Sequence, residues 1–223
     1  GTPCAVARRL ADAVLLLFSV GVFFWWRRVA GWVAGAMVMG MLVLWAWAPR
    51  DLPETGSVRL TFLDVGQGDA ALVETADGHT MLIDGGTASE KYDVGRMAVA
   101  PLLWDRGIRR LDLVVATHPQ QDHVGGLAFV VGKFEVGEFW TNGVSRDVAF
   151  LQRLEEVIAA RGVPIRPVSS AEEDVLVGDC RARVLNPAFP PDGGGHGNDG
   201  KRLNNQSVVL HLRCGKSAFL FTG

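Results

Sequence analysis

The sequence has little cysteine and shows no paired cysteine motif. Its 223 residues include three cysteines, Cys4, Cys180 and Cys214, and none of them forms a Cys-x-x-Cys pair. This spacing argues against a zinc knuckle or a dithiol redox motif. We expect three small buried residues. A bond between Cys180 and Cys214 is possible if the two lie on neighbouring strands.

An excess of basic residues is also missing. The chain carries 22 basic and 24 acidic residues, but residues 1–50 hold five of the basic and only one of the acidic ones. Residues 51–223 therefore have 17 basic and 23 acidic residues, a net charge of −6. Nucleic-acid-binding domains usually carry a basic surface, so charge alone does not indicate one here. A local basic patch or bound cations would offset this balance.

Most of the hydrophobic excess lies in residues 1–50. Residues 10–26 are apolar apart from Asp12, and residues 29–48 contain no charge. The second run is long enough to cross a membrane as a helix. We expect one or two transmembrane helices. Because Arg27 and Arg28 separate the two runs, a helical hairpin fits them better than a signal peptide does. The first residue is not Met, which indicates a chain that begins inside a larger protein.

Residues 49–57 are rich in turn formers and predict a linker, whose core is 51–57. After it, hydrophobic patterns predict strands interleaved with helices. The predicted strands are 58–65, 70–75, 80–83, 111–116, 135–140, 174–177, 181–186, 206–213 and 217–222. The predicted helices are 94–107, 124–131 and 147–161, and 187–203 is predicted as a flexible loop. This order favours a sandwich of sheets with helices outside.

One segment contains several residues of the types that bind metal ions. THPQQDHVGG, residues 117–126, follows a predicted buried strand and places His118, Asp122 and His123 in one turn. Imidazole and carboxylate groups so placed can converge on a cation. The alternative is a polar loop that happens to contain two histidines.

This segment resembles the metal-binding signature of the metallo-β-lactamase superfamily, whose full pattern is His-x-His-x-Asp-His. Four further segments are similar to ComEC-type competence proteins. They are LDVGQGDA (63–70) with IDGG (83–86), NNQSVVL (204–210) and FLFTG (219–223). The resemblance implies an α+β fold, an incomplete metallo-β-lactamase-like αββα sandwich over residues 58–223. The apolar runs in residues 1–50 resemble the last helices of the family's transport channel.

The resemblance also implies ligands. His118 matches a first-metal ligand, and Asp122 and His123 match second-metal ligands, for one or two zinc or manganese ions. Gln120 stands where the family has His or Asp, so it is a weak or lost ligand. In the family, the Thr-Gly pair is followed by a bridging Asp and later by His-His-Gly-Ser. The present chain ends at Gly223, so the expectation is a fragment that lacks ligands and is inactive alone.

Other polar residues are open to two interpretations. Asp84 could cap its loop or approach the metal, and we group it with Asp122 as a catalytic candidate. Gln67, Asp69 and Asn205 are candidates for substrate contact, with turn formation or backbone hydrogen bonding as the alternative. The remaining histidines are expected at the surface or on the polar side of a strand: His79, His196 and His211.

The leading functional hypothesis is an extracytoplasmic metal-dependent nuclease or phosphodiesterase of a DNA-uptake channel protein. It would degrade one DNA strand during transformation. Its partners would be single-stranded DNA, the membrane, other competence proteins and the channel helices of the same parent chain. The alternatives are a catalytically degenerate domain that guides DNA, and a metallohydrolase of a small ester or thioester.

Overall fold

The computed structural model describes residues 3–46, 51–144, 146, 148–188 and 200–223. They form two compact units, one made by the N-terminal helix and one by the residues from 51 onward. His196 and the Gly-rich part of the predicted loop lie outside the described residues.

The N-terminal unit is a single α-helix, α1 (Pro3–Ala46), rather than the expected hairpin. Residues 22–30 hold no proline or glycine, and arginine is a good helix former, so nothing there turns the chain. Residues Leu15–Leu44 are long and apolar enough to cross a membrane, by length and composition. The two apolar runs therefore do not form a hairpin, and the expectation of one or two apolar helices is met by one helix.

The second unit contains two sheets. The six strands of the first sheet lie in chain order, β1 (Val58–Phe62), β2 (Ala71–Thr75), β3 (Thr80–Ile83), β4 (Arg110–Val115), β5 (Glu135–Thr141) and β6 (Ile165–Pro167). The four strands of the second sheet are β7 (Val175–Val177), β8 (Cys180–Asn186), β9 (Val209–Cys214) and β10 (Ser217–Phe221), in the order β10-β9-β8-β7. β1 to β3 are antiparallel, and β3 to β6 run parallel.

Helices cover one face of the first sheet. A π-helical segment (Gly95–Val99) continues into α2 (Ala100–Asp105), and α3 (Gln121–Val124), α4 (Leu127–Lys133) and α5 (Ala149–Arg161) follow, all with buried residues that pack on this face. A further helix, α6 (Gly200–Asn205), lies between β8 and β9 in the chain. Parallel strands need such crossover connections, whereas the β2–β3 hairpin needs only the predicted turn at Asp77 and Gly78. Pro101 lies in the first turn of α2, where its missing N–H is tolerated.

Alternating side chains of the first sheet pack into two separate hydrophobic cores. Leu72, Leu82 and Val114 pack with the helices. Met81 and Val115 point the other way and pack with β7 to β10. Because consecutive strand residues face opposite sides, strands buried on both faces read as nearly continuous apolar runs. The predicted sandwich is therefore confirmed in the described residues.

Several element bounds differ from the predictions. β1 ends at Phe62 instead of extending to residue 65, because the chain then turns into a glycine-containing loop. β6 was not predicted, since three edge residues carry too little periodic signal. α6 occupies the last part of the segment predicted as a loop.

Candidate functional site

Sheet topology brings three separate sequence motifs to one edge. β3 and β4 are parallel and paired, with Ile83 opposite Val115. The residues that follow both strands therefore meet at the same edge. β2 is antiparallel to β3 and begins at Ala71, opposite Ile83. Residues 63–70, 83–86 and 117–126 consequently surround one site.

Asp84 accepts several hydrogen bonds at this edge of the first sheet. Its side chain is buried, and it accepts hydrogen bonds from the Thr117 amide at 2.8 Å and the Thr117 hydroxyl at 2.7 Å. Its Oδ2 also lies 2.8 Å from Nδ1 of His123. Asp84 has a left-handed backbone with φ 57°, which Asp and Asn tolerate better than most residues. Its side chain therefore orients the loop after β4.

The bond to Asp84 determines which nitrogen of His123 is left for chemistry. A carboxylate has only acceptors, so Nδ1 of His123 must carry the proton that it donates. In the neutral ring Nε2 is then the unprotonated nitrogen and can bind a ligand. A carboxylate on the far nitrogen is the usual way to orient a metal-binding histidine.

His118 has partners on both ring nitrogens. Nδ1 lies 3.0 Å from the Thr117 hydroxyl, and Nε2 lies 3.1 Å from Oε1 of Gln120. The His118 and His123 rings are tilted against each other with centroids 4.1 Å apart. His118 is 2% exposed. Both ring nitrogens of His118 therefore lie beside protein partners.

The two imidazoles have pKa values shifted in opposite directions. Burial lowers the pKa of His118, the charge of His123 lowers it further, and the Gln120 bond and nearby carboxylates offset only part of this. For His123, burial also lowers the pKa, but the bond and charge of Asp84 with the charges of Asp122 and Asp69 outweigh it and raise the value. Neighbouring carboxylates thus favour the charged form of His123.

Asp122 is held by the glycine-containing loop before β2. Gly68 has φ +99°, and a Cβ there would overlap the carbonyl oxygen of Asp122. Only glycine allows this close approach. The loop is closed at its base by a hydrogen bond of 2.9 Å from the Leu63 amide to the Ala70 carbonyl. The glycine of the LDVGQGDA motif therefore lets its loop pack against the Asp122 backbone.

The predicted substrate-contact residues lie at different distances from this centre. Asp69 has an exposed side chain with Oδ2 3.8 Å from Nδ1 of His123. Gln67 is exposed in the same loop. Asn205 is exposed at the end of α6, and its carbonyl accepts a hydrogen bond from Asn186. This bond involves the Asn205 backbone, so the role of the Asn205 side chain stays a prediction.

The two other described histidines are apart from this cluster. His79 is exposed and pairs with Asp77 at 3.2 Å. His211 is half-buried between the buried Leu210 and Leu212 in β9. Both placements confirm the predictions made for them.

The side chains of this site supply only some of the ligands that a bound cation needs. Among the described residues, no three His, Cys, Asp or Glu side chains are arranged to hold a metal ion together. His123 offers Nε2 because Asp84 occupies Nδ1, and Asp122 contributes a carboxylate in the same turn of α3. Gln120 occupies Nε2 of His118. The loop therefore fits one cation with two protein donors better than a pair of cations.

A largely apolar cavity of about 190 Å³ borders His118 on the side of α5. Pro119, Phe139 and Leu151 line it together with Asn142. Asn142 donates to the Gln206 carbonyl at 3.0 Å and accepts from the Val144 amide at 3.1 Å. The cavity thus offers apolar contact beside the site.

Sequence reasoning missed Thr117, which bonds both Asp84 and His118. Its carbonyl also accepts from the Val208 amide of the second sheet at 2.8 Å. The available signal was its place between a buried strand and the first histidine. A threonine there is common as a turn former, so only its contacts distinguish it.

Comparison with known proteins decides the family. The family description "Metallo-beta-lactamase superfamily" matches residues 63–223. The chain belongs to the metallo-β-lactamase superfamily. The fold expected from the resemblance is thereby confirmed.

Two curated relatives confirm the similarity to ComEC-type proteins. ComE operon protein 3 of Bacillus subtilis (strain 168) is 29% identical, over 72% of this chain and 21% of its own length. Competence protein ComA of Neisseria gonorrhoeae is 37% identical, over 41% of this chain and 12% of its own length. The chain thus spans about a fifth or less of either relative.

The solved structures that are similar to this chain include two metallo-β-lactamase proteins. The metallo-β-lactamase fold protein YhfI from Bacillus subtilis is 15% identical, over 74% of this chain and 62% of that one, with a TM-score of 0.46. The metallo-β-lactamase SMB-1 is 17% identical, over 78% of this chain and 65% of that one, with a TM-score of 0.48.

Proposed function

We propose that this chain is the hydrolase-like part of a membrane protein of DNA uptake, and that it degrades one strand of incoming DNA. The observation that carries the proposal is the loop after β4, where Asp84 orients His123 beside Asp122. The similarity to a competence protein supports DNA as the substrate. Other competence proteins and further channel helices of the same protein would be its partners.

Asp122 and His123 would hold one divalent cation, zinc or manganese, since imidazole with carboxylate suits either ion. Such an ion, when bound, lowers the pKa of a coordinated water and neutralises charge on a phosphate. The protein's own contribution is positional. Asp84 keeps His123 in one tautomer, and the Gly68 loop presses against the Asp122 backbone. Asp69, exposed 3.8 Å from the His123 ring, lies where substrate would enter.

The cavity beside His118 supports a nucleic-acid substrate. Its apolar wall and Asn142 suit a flat base next to a phosphate at the site, because bases bind proteins through their faces. A single strand can place one base there without the cost of unpairing it.

We propose that the domain lies outside the cytoplasm. The disulfide between Cys180 and Cys214 supports this, because disulfides persist in oxidising compartments and are rare in the cytosol. The two cysteines are cross-strand partners in β8 and β9 and are buried. α1 would anchor the domain as one span of a multi-pass protein.

A second candidate function is a domain that guides DNA without cleaving it. One observation favours it: Nε2 of His118 is bonded to Gln120 instead of being open to a cation. A neutral amide is a poor metal ligand, and a site with two protein donors could be too weak to hold a cation. The two functions share the same surface and differ in chemistry.

The test uses the complete gene product in detergent with a fluorescent single-stranded DNA and Mn²⁺ or Zn²⁺. We expect cleavage that Asp122→Asn and His123→Ala abolish. His79→Ala, a change at an exposed histidine outside the site, is the matched control and should cleave normally. Cleavage that survives Asp122→Asn would reject the site. DNA binding without cleavage would support the guiding function instead.

A further inference from the structure

Gln120 and His118 form a pair that the proposed chemistry leaves unused. Nε2 of His118 lies 3.1 Å from Oε1 of Gln120, and Nδ1 lies 3.0 Å from the Thr117 hydroxyl. Both ring nitrogens therefore have protein partners inside a nearly inaccessible environment, since His118 is 2% exposed. His123 differs, because its polar ring contacts with the described residues are made through Nδ1.

The backbone of Gln120 is held as firmly as its side chain. Its amide donates to the His118 carbonyl at 2.9 Å, and its carbonyl accepts from the amides of His123 at 3.1 Å and Val124 at 3.0 Å. Gln120 has an extended backbone, with φ −108° and ψ 147°, and stands immediately before α3. Moving the side chain away from His118 thus means rotating it about a fixed backbone while breaking a partly buried hydrogen bond.

A cation needs the lone pair of a ring nitrogen, and the Gln120 amide occupies the position that a cation on Nε2 of His118 would take. The amide carries no charge to compensate a second ion. Asp84 is committed to Thr117 and His123 by three hydrogen bonds. Of the remaining carboxylates, Asp122 raises the pKa of both imidazoles, and Asp69 lies 3.8 Å from Nδ1 of His123.

We infer that Gln120 closes the His118 half of the site and restricts it to one divalent cation, bound through Asp122 and His123. The inference rests on the proposed function only in taking a divalent cation as the ligand. It assigns His118 a positioning role: the ring packs against His123 with centroids 4.1 Å apart and links Thr117 to Gln120. His118 is therefore not a ligand while Gln120 is present.

The test uses the 223-residue chain in detergent with ¹⁵N-labelled histidine, titrated with Zn²⁺ alone. Ring ¹⁵N shifts identify the ligating nitrogen, and equilibrium dialysis counts bound zinc. We expect one site zinc per chain, a shift at Nε2 of His123, no shift at either nitrogen of His118, and loss of that zinc in His123→Ala. In Gln120→Ala, Nε2 of His118 becomes free and should shift with zinc.

Gln121→Ala is the matched control, because the neighbouring glutamine bonds the Ala88 carbonyl instead of a histidine. It should behave like the wild type. Zinc ligation by His118 in the wild type, no bound zinc, or no new ligation at His118 in Gln120→Ala would each overturn the inference. DNA is absent from this experiment, so failure of cleavage and failure of the inference remain distinguishable.

Discussion

Asp84 offers the sharpest test of how the site is held. It is 1% exposed and accepts three hydrogen bonds, two from Thr117 and one from His123. Removing the carboxylate leaves the Thr117 amide and Nδ1 of His123 without their acceptor, while the Thr117 hydroxyl can turn toward His118. An orphaned buried donor costs about 1–3 kcal/mol, so Asp84→Ala should lower the free energy of unfolding by roughly 2–5 kcal/mol.

The backbone supplies an internal comparison. Asp84 has φ 57°, and a left-handed conformation costs a residue with a Cβ about 1–2 kcal/mol. Glycine has no such cost, so Asp84→Gly should be about 1 kcal/mol less destabilising than Asp84→Ala. Asp84→Asn keeps the shape, tolerates this backbone and still accepts from Thr117, so it should cost least, about 1–2 kcal/mol.

The same three variants separate stability from site chemistry. An asparagine amide would donate to Nδ1 of His123 and move the ring proton to Nε2. Loss of an orienting partner typically costs 10–100-fold in metal affinity. Asp84→Asn should therefore fold well and bind Zn²⁺ at least about 10-fold more weakly.

The assay is urea unfolding of the whole chain in detergent, with the folded fraction measured by pulse proteolysis. Zinc affinity is measured on the same samples. Wild-type stability of Asp84→Ala would refute the role of Asp84 in holding the site. The same role would be refuted if Asp84→Gly were less stable than Asp84→Ala, or if Asp84→Asn bound zinc with wild-type affinity.

Three further predictions use other parts of the structure. In the metal-free chain, the ¹⁵N titration midpoint of His123 should lie above 6.5 and should fall in Asp84→Asn. Because the folded state raises the pKa of His123, its contribution to stability is full below about pH 6.5 and is lost as pH rises through the folded pKa. A midpoint below 6.5 would contradict this prediction. Reducing the β8–β9 disulfide, whose cysteines are 34 residues apart, should lower the unfolding free energy by about 3–4 kcal/mol in urea, and unchanged stability would refute that contribution. Gly68→Ala should displace the loop from Asp122 and weaken zinc binding. Gly66 also has a positive φ but has open space around it, so Gly66→Ala should cost only about 1–2 kcal/mol of backbone strain. Equal zinc affinity in the two variants would rule out the packing of the Gly68 loop as a cause.

Much of the fold was predictable because its signals are local. The Asp77-Gly78 turn joins β2 to β3 as expected, and α5 ends at Gly162 in a left-handed conformation. The errors lie where local signals conflict or are weak. Arg27 and Arg28 were interpreted as a break between spans, yet helix propensity continues through them in α1.

The candidate site was predictable in composition but not in arrangement. The motif placed His118, Asp122 and His123 together, and the strand before it placed them at a sheet edge. Asp84 lies 39 positions before His123 in the chain, and only the parallel pairing of β3 with β4 brings the two together.

The sequence by itself determined the family resemblance, the apolar helix, the strand and helix order, and the identity of the polar groups at the site. These follow from hydrophobic period, turn residues and spacing, all of which act between near neighbours in the chain. Tertiary structure alone decided which ring nitrogen of each histidine is engaged, that Thr117 connects Asp84 to His118, and that Gln120 is bonded to His118. Hydrogen bonds depend on distances of tenths of an ångström between residues that packing brings together, and no local pattern encodes those distances.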